Sequence, residues 1–356
     1  MSSEVGISGD DCVAVALCDR QAWEALAAEA DPGFYGQPGW LETACAASGL
    51  EPRYVLVKTR NAPLLRVALA FRRRWGQQML LTPALAAYAG WAEVFPADLA
   101  PERVEMRRRE AFDELAEWCE GCASFVRIVL PPEVADVRPF LWRGWRAEVR
   151  YTYRISHADD SALTLRTNHR RNLERAQNSG LTVLRPRSAE AADMLDATVR
   201  ATFARQGEPL PVPEAAWRAY LEKLADMPSV RVVAVLSGEI PLATAALGYD
   251  PLTKSESSRA YELLAGTSDE GIAQGAGVLA LWTAIRDSAE EVPEFDFAGA
   301  NIPSIAHFKR GFGGRLVPYF AVMWARSAAA RWLAVNGPAW KRRVRRVLRS
   351  PGSRRR

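Results

Sequence analysis

The spacing of apolar residues alternates between a helical and a strand period along the first half of the chain. Apolar positions three and four residues apart predict helices, and apolar positions at every second residue predict strands. The predicted elements are a strand at 12–17, helices at 20–29 and 38–47, strands at 53–58 and 64–71, a helix at 101–122 and a strand at 125–130. Residues 79–95 are apolar but interrupted by turn residues, and they favour neither period.

The second half of the chain repeats this order of elements. Its predicted elements are helices at 168–178, 189–204 and 214–225, strands at 230–236, 241–249 and 259–265, a helix at 276–290, and strands at 295–298 and 315–322. The returning strand of each hairpin follows a turn, begins with Pro-Leu at 63–64 or 241–242, and ends in Ala-Leu. Because the period is too long for a solenoid, it predicts a duplicated α/β domain with its join near 146–160.

The stretch 295–314 is interpreted as the rim of a site, because its predicted strand carries one carboxylate, Asp296, and a short helix follows the strand. Asn301 is the predicted N-cap of this helix. The helix has an apolar stripe and a charged remainder, formed by Ile305, Phe308 and Phe312 and by His307, Lys309 and Arg310, respectively. A plain packing unit with a solvated charged face is the alternative interpretation.

Composition and charge narrow the class of protein. The 356 residues are 49% hydrophobic and 25% charged, which is ordinary for a soluble globular protein and sufficient for two cores. Eleven of the 46 Lys and Arg residues lie in 326–356, which has no Asp or Glu. Residues 1–325 therefore carry 35 basic and 42 acidic residues, a net charge of −7. This separation argues against a nucleic-acid-binding body and predicts a basic tail with an anionic partner.

The N-terminal residues and the cysteines suggest a cytoplasmic protein without a metal. No secretory signal is visible, and no apolar run is long enough to span a membrane. Five cysteines in such a chain predict reduced thiols. Cys119 and Cys122 form one C-x-x-C pair, but no second pair and no nearby histidine completes a zinc site.

Four stretches together resemble a known family. They are YTYRI at 151–155, NHRRNLERAQNSG at 168–180, GAGVLALWTAI at 275–285 and FDFAGANIPSIAHFKRGFGG at 295–314. In this order and spacing they resemble the tandem GNAT-like acyltransferases, which include Fem-type peptidoglycan aminoacyltransferases and acetyltransferases of polysaccharide biosynthesis. The resemblance implies two tandem GNAT-like domains, 1–155 and 156–325, each a mixed, mostly antiparallel sheet flanked by helices, with the donor site in the second domain.

The resemblance implies acyl-CoA as co-substrate, held at the start of the helix that follows Gly275. Gly275, Ala276 and Gly277 allow close backbone approach, and a helix N-terminus offers unpaired N–H groups to a pyrophosphate. The loop departs from the usual acyl-CoA pattern, because Ile272 stands where Arg or Gln is common. Fem-type enzymes, whose donor is aminoacyl-tRNA, share this departure. Gly-rich capping of an ordinary helix is the alternative.

The aromatic–lysine pair of Fem-type enzymes is matched by Phe308 and Lys309. The ammonium of Lys309 suits an oxyanion, and the ring of Phe308 suits stacking on an adenine or a pantetheine arm. Glu262 and Asp296 are the carboxylates best placed to take a proton from the acceptor. For each of them, a structural carboxylate that forms an ion pair with an arginine is an equally good interpretation.

Candidate contacts to the acceptor come from a basic helix and from one strand residue. Arg170 and Arg171 lie on the helix at 168–178 and suit a phosphate of the acceptor, although a solvated basic face explains them equally. Tyr261, next to Glu262 in the sequence, is the third candidate. The expected acceptor is a glycan or peptidoglycan-type precursor.

The tail at 326–356 contains an amphipathic pattern at 339–349. One face carries Trp340, Val344, Val347 and Leu348, and arginines occupy the rest. This pattern favours an anionic membrane surface, with tRNA contact or a solvated tail as alternatives.

These observations predict a cytoplasmic GNAT-type N-acyltransferase that moves an acyl group from acyl-CoA to an amine of a cell-envelope glycan or polysaccharide precursor. The first alternative is a Fem-type aminoacyltransferase that uses aminoacyl-tRNA. The second is a non-catalytic scaffold of a polysaccharide-synthesis complex.

Overall fold

The computed structural model describes residues 13–26, 31–60, 62–74, 76–96, 98–158, 164–251 and 257–331. The first half contains β1 Ala14–Cys18, α1 Arg20–Ala25, a short 3-10 helix Phe34–Gly36, α2 Pro38–Ser48, β2 Glu51–Lys58, β3 Pro63–Arg74, β4 Gln77–Leu81, β5 Gly90–Glu93, α3 Pro101–Cys122, β6 Phe125–Val129, α4 Arg138–Trp142 and β7 Arg146–Ser156. The second half contains α5 Thr167–Asn178, β8 Thr182–Leu184, α6 Ser188–Gln206, α7 Glu214–Ala225, β9 Val230–Ser237, β10 Ile240–Tyr249, β11 Arg259–Thr267, α8 Asp269–Gln274, α9 Ala276–Ser288, β12 Glu294–Asp296, α10 Pro303–Arg310 and β13 Arg315–Ala325.

The described strands form one continuous mixed sheet. Twelve of them follow the order β1-β2-β3-β4-β6-β13-β7-β12-β11-β10-β9-β8, and β5 pairs with β3. Two of the pairings, β4 with β6 and β11 with β12, are parallel, and the others are antiparallel. The mixed, mostly antiparallel α/β architecture predicted from the sequence is confirmed.

The two halves exchange their last strands. The last strand of the first half, β7, pairs with β12 of the second half, and the last strand of the second half, β13, pairs with β6 of the first. The exchanged strands also pair with each other, so the two halves share their central hydrogen bonds. The boundary between the domains at 155/156 stays a prediction, because β7 belongs to both sheets.

The order helix, helix, hairpin, strand, helix, strand does occur twice, as the sequence predicts. In the first half these elements are α1, α2, the hairpin β2–β3, then β4, α3 and β6. In the second half they are α6, α7, the hairpin β9–β10, then β11, α9 and β12. In both copies the strand that follows the long helix is parallel to the strand that precedes it.

Three apolar clusters hold the described residues together. One lies under the first-half sheet around Phe112 and Phe140, and another lies in the second half around Phe295 and Phe312. The third joins the halves, because it contains Trp40 and other first-half residues together with Trp217 of α7 and further second-half residues. Burying aromatic side chains of this size contributes more to stability than any other apolar contact.

The capping prediction for Asn301 is wrong. The N-cap of α10 is Ile302, which caps no N–H with its side chain. The Asn301 side chain instead accepts from the N–H of Tyr151 at 2.8 Å and donates to the hydroxyl of Tyr319 at 2.9 Å, so it ties the loop to the exchanged strands. The predicted strand at 295–298 ends at Asp296, because the chain turns at Ala298, where φ is 55°.

The amphipathic pattern predicted at 339–349 lies outside the described residues. No helix among the described residues combines the length and the hydropathy needed to cross a membrane.

Candidate active site

The site begins where β11 and β12 stop pairing. These parallel strands pair over only three residues each, 259–261 and 294–296. Beyond this pairing β11 continues to Thr267, whereas the other chain turns away at Ala298. The first side chain of β11 past the last pair is that of Glu262, so it lies at the point where the gap opens.

A cavity of about 460 Å³, which we call the wedge cavity, occupies this gap. It is lined from β11, the start of α9 and α10, by residues that include Glu262, Thr267, Gly275, Gly277, Phe308 and Lys309. Five residues that the sequence singled out are therefore brought together here: Glu262, Gly275, Gly277, Phe308 and Lys309. Asp296, Ala276, Arg170, Arg171 and Tyr261 do not line it.

Lys309 is buried, with only 8% of its surface exposed, so the alternative interpretation of a solvated charged face does not apply to it. Its ammonium donates to the carbonyl oxygens of Phe297 at 2.6 Å and Gly299 at 2.9 Å. These carbonyls belong to the segment that follows β12, where the backbone turns away from β11. A buried carbonyl without a donor costs about 1–3 kcal/mol, so the ammonium replaces donors that a neighbouring strand would supply.

The third neighbour of the Lys309 ammonium is the carboxylate of Glu262, whose Oε2 lies 3.4 Å from Nζ. This distance makes an ion pair but is too long for a normal hydrogen bond, and Oε2 has no hydrogen-bond partner within the described residues. Burial raises the pKa of Glu262, and the positive charge of Lys309 opposes the rise. A carboxyl group in such surroundings is a stronger base than a solvated one.

The glycines at the start of α9 fit close packing within the protein. Gly275 has φ 77° and is both the C-cap of α8 and the N-cap of α9. A Cβ on Gly275 would lie 2.3 Å from the carbonyl oxygen of Asn172, and one on Gly277 would lie 2.6 Å from Thr267 Oγ1. These contacts support the alternative of a tightly capped and packed helix. Ala276 between them is fully buried.

Phe308 forms an apolar wall of the wedge cavity. Its ring packs against those of His169 and Phe312, with centroid distances of 5.1 Å and 5.3 Å. Further apolar lining comes from Val278 and Ile305. The cavity therefore combines one buried carboxyl group with walls suited to an apolar chain.

Asp296 is fully buried and every contact it makes is internal. It accepts hydrogen bonds of 2.7 Å from Thr152 Oγ1, from Arg154 Nε and from the N–H of Ala298. The hydroxyl of Tyr88 lies 3.2 Å from both of its oxygens. These contacts favour the structural alternative, a carboxylate paired with an arginine, and Asp296 does not line the wedge cavity.

Tyr261 lies on a second cavity of about 670 Å³, the cleft cavity, whose lining includes Tyr35 and Tyr88 from the first half and Asp250 and Arg259 from the second. Its hydroxyl is 3.2 Å from Asp250 Oδ2, and burial raises the pKa of Asp250 to about 7. Consecutive strand residues point to opposite faces, which explains why Tyr261 and Glu262 line different cavities.

The two arginines predicted to contact the acceptor lie apart from Glu262. Arg170 lines a third cavity at the start of α5, and Arg171 is exposed on the same helix. Sequence reasoning did not single out Asn172, which lines the wedge cavity and fits against Gly275. Its only signal was its place in the family-like stretch at 168–180.

The corresponding gap of the first half is closed. Strands β4 and β6 also pair over three residues, but a loop at 82–89 follows β4. Thr82 Oγ1 accepts from the N–H of Val129 at 2.9 Å, and the N–H of Ala89 donates to Val129 O at 2.7 Å. The loop thus forms hydrogen bonds with the edge of β6. The corresponding gap beside β12 stays open.

Among the described residues, no group of three or more His, Cys, Asp or Glu side chains is arranged to hold a metal ion.

Comparisons with known proteins match part of this chain to a family model and most of it to solved structures. Residues 164–310, which contain Glu262, Gly275, Phe308 and Lys309, match the family model of the acetyltransferase (GNAT) domain. The crystal structure of FemX is similar over 86% of this chain and 96% of its own, with 12% identity and a TM-score of 0.62. A search of curated proteins gave no match.

Two further solved structures share the fold. The C-terminal domain of a putative lysylphosphatidylglycerol synthetase from Agrobacterium fabrum has 13% identity and a TM-score of 0.56, over 90% of this chain and 95% of its own. L-PGS from Bacillus licheniformis has 12% identity and a TM-score of 0.54, over 90% and 96%. Identities this low show the fold alone. Residues 164–310 therefore match a GNAT acetyltransferase domain, and most of the chain shares its fold with FemX.

Proposed function

We propose that this acyltransferase moves an acyl group from acyl-CoA to an amine of a cell-envelope glycan or polysaccharide precursor, at the wedge cavity. The observation that carries the proposal is Glu262. It is a buried carboxyl group with a raised pKa and an oxygen without a hydrogen bond, at the point where the strands diverge. Only a group with free lone pairs can accept a proton during the reaction.

The proposed step is direct transfer. The amine nitrogen attacks the thioester carbonyl carbon, the C–S bond breaks, and CoA leaves as a thiol. Glu262 takes the proton that the attacking nitrogen loses and returns it to the leaving sulfur. Lys309 is proposed to stabilise the oxyanion that forms: carbonyls hold two of its N–H groups, and the third lies on the side of Glu262, whose Oε2 is 3.4 Å from the ammonium nitrogen. Once Glu262 is protonated, this third N–H is free for the developing oxyanion.

The shape of the site supports a thioester donor. The apolar walls formed by Val278, Ile305 and Phe308 suit a pantetheine arm and an acyl chain, and the first N–H groups of α9 suit its pyrophosphate. The acceptor is proposed to enter from the cleft cavity on the other face of β11. Arg108 and Arg259, the arginines that line the cleft cavity, are both paired with carboxylates, which favours an amine over a phosphate there.

The second candidate is aminoacyl transfer from aminoacyl-tRNA, as in Fem-type enzymes. The likeness to FemX over nearly its whole chain favours it. Thermal unfolding with acetyl-CoA and with charged tRNA separates the two donors, because a ligand that binds only the folded state raises the melting temperature. Stabilisation by acetyl-CoA alone supports the first candidate, and stabilisation by charged tRNA alone supports the second.

Under either candidate, we propose that the protein works at the inner face of the membrane. We propose that the basic segment 339–349 brings it there. Co-sedimentation with anionic vesicles, of the full chain and of a chain ending at residue 338, is the measurement. Equal pelleting of the two forms would exclude this role.

The decisive variant for the chemistry is Glu262→Gln. Loss of a general base lowers kcat/KM by about a hundredfold or more, whereas stabilisation by acetyl-CoA is expected to persist. Glu270→Gln, at an exposed carboxylate of α8, is the matched control and should keep wild-type activity. The readout is release of CoA thiol with a panel of amines. Wild-type turnover in Glu262→Gln would show that the assignment is wrong.

A further inference from the structure

A third cavity of about 470 Å³ lies between the start of α5 and the end of α10, and we call it the basic cavity. Its lining includes Arg166 and Arg170 from the first of these helices, and His307 and Arg310 from the second. No Asp or Glu is among its described lining residues. It is therefore a concave surface with charge of a single sign.

The arginines of the basic cavity differ from most others in the described chain. Pairs such as Arg143 with Glu120, or Arg185 with Asp287, show the common arrangement with a carboxylate. Arg166, Arg170 and Arg310 form no ion pair with any described residue. Within the part of the chain that the structure describes, the Arg170 guanidinium reaches the carbonyl of Leu165 at 3.4 Å, and that of Arg310 reaches His307 at 3.3 Å. Gathering like charges without a counter-ion is unfavourable, and a bound anion removes this cost.

The backbone adds to the same potential. α5 is a helix of twelve residues whose N-cap, Arg166, makes no side-chain capping bond. The first bond along the helix runs from the N–H of Arg170 to the carbonyl of Arg166, so the N–H groups of residues 167–169 are not used within it. These N–H groups and the positive end of the helix dipole face an anion at this end of the helix.

A buried side chain at the cavity is also unsatisfied. His169 lines the basic cavity and is only 6% exposed, and its Nε2 has no hydrogen-bond partner in the described residues. Its ring is held in place by Gly311, where a Cβ would lie 2.3 Å from the imidazole. A buried ring nitrogen without a partner costs free energy unless a ligand supplies one.

We propose that the basic cavity binds a phosphate group, with Arg166, Arg170 and Arg310 as its charged contacts and the start of α5 as its backbone cradle. Guanidinium groups and helix N-termini both match the oxygens of a phosphate. The site lies outside the wedge cavity. Binding of phosphate there is measured without acyl transfer, whereas the assignment of the phosphate to a donor or an acceptor rests on the proposed function.

Two sources of the phosphate fit the position. α5 and α10 also wall the wedge cavity, through Asn172 and Phe308, so the nucleotide phosphate of a CoA donor is one source. A free phosphate, or one carried by the acceptor, is the other. The ligand chemistry is the same in both.

The test measures binding of inorganic phosphate to the full chain by calorimetry and thermal unfolding. The double variant Arg170→Gln/Arg310→Gln is expected to lose at least tenfold in affinity, since both side chains are exposed and unpaired and their removal leaves the core intact. Arg166→Gln is the second variant, and Arg286→Gln, an exposed arginine of α9, is the control with the same loss of charge. Equal phosphate affinity in the wild type and the double variant, or no phosphate binding by the wild type, would overturn the proposal.

Comparison of CoA with 3′-dephospho-CoA identifies the source. If the donor supplies the phosphate, the wild type binds CoA about tenfold more tightly and the double variant binds both alike. If both ligands bind the wild type alike while inorganic phosphate still depends on the arginines, the phosphate comes from the acceptor or from solution. Neither result depends on turnover, so failure of the Glu262 mechanism and failure of this site are separate outcomes.

Discussion

Replacing Lys309 by Met removes a buried cation while keeping most of the apolar length of the side chain. The carbonyls of Phe297 and Gly299 lose their donors, and the carboxylate of Glu262 loses the positive charge that lies 3.4 Å from it. Breaking a buried ion pair by removing one partner costs about 3–5 kcal/mol. Because water in the wedge cavity can hydrate part of the exposed site, we expect a loss near the lower end, about 3 kcal/mol.

This expectation is opposite to that for a solvated lysine, whose replacement changes stability by less than about 0.5 kcal/mol. The control is therefore Lys223→Met, at an exposed lysine of α7. Urea unfolding followed by tryptophan fluorescence gives the free energy of unfolding for both variants. The further replacement of Glu262 by Gln in the Lys309→Met background should restore part of the loss, because it removes the uncompensated carboxylate.

The pH dependence gives a second readout with a definite sign. Burial already holds the pKa of Glu262 above its ordinary value in the folded protein, and loss of Lys309 raises it further. The folded variant then binds the Glu262 proton more tightly than the unfolded chain does, so its stability falls as pH rises through this pKa. The deficit relative to the wild type should be smaller at about pH 5 than at about pH 8. A deficit that is absent, or that is independent of pH and unaffected by Glu262→Gln, would refute the pairing.

Three further predictions follow from single contacts. Gly275→Ala should destabilise the protein more than Gly238→Ala. Both substitutions cost about 1 kcal/mol because the backbone is left-handed, but only the one at Gly275 adds a steric overlap, which costs about 1–3 kcal/mol more. Equal urea midpoints of the two variants would contradict this. Asp296→Asn should lower the free energy of unfolding by about 3 kcal/mol or more, so a soluble variant of wild-type stability would argue against a structural role. Raising the pH from about 4 to about 7 should destabilise the wild type relative to Asp250→Asn, because the pKa of Asp250 is about 7 in the folded protein and its ordinary value is 3.8. If the free energies of unfolding of the two proteins changed in parallel with pH, a raised pKa of Asp250 would be excluded.

Hydrophobic periodicity predicted the long elements well and the short ones poorly. The predicted helices at 101–122 and 214–225 have the bounds found in α3 and α7. Each of these helices carries a sustained apolar stripe, and the stripe packs into a single apolar cluster. Residues 79–95 could not be assigned, because β4 and β5 there are short and are defined by pairing with β3.

The sequence predicted several of the residues that line the candidate site, but it did not predict which carboxylate lies in the cavity. The family-like stretches pointed to Gly275, Phe308 and Lys309, and these do line one cavity. The sequence could not rank Glu262 against Asp296, since both are carboxylates on neighbouring strands. Strand register separates them. Asp296 belongs to the last residue pair between β11 and β12, whereas Glu262 comes one residue after it, where the neighbouring strand has left.

Within the described residues, comparison of the two halves explains why the gap beside β12 stays open and the gap beside β6 does not. In the first half, the loop at 82–89 supplies the hydrogen bonds that β6 lacks, and the gap beside it closes. The same loop ends near Tyr88, whose hydroxyl lies against both oxygens of Asp296 at the start of the second gap. In the second half a single ammonium, that of Lys309, bridges the diverging strands and leaves space beside Glu262. The loop at 82–89 therefore closes the gap of the first half and, through Tyr88, also contacts Asp296 where the gap of the second half begins.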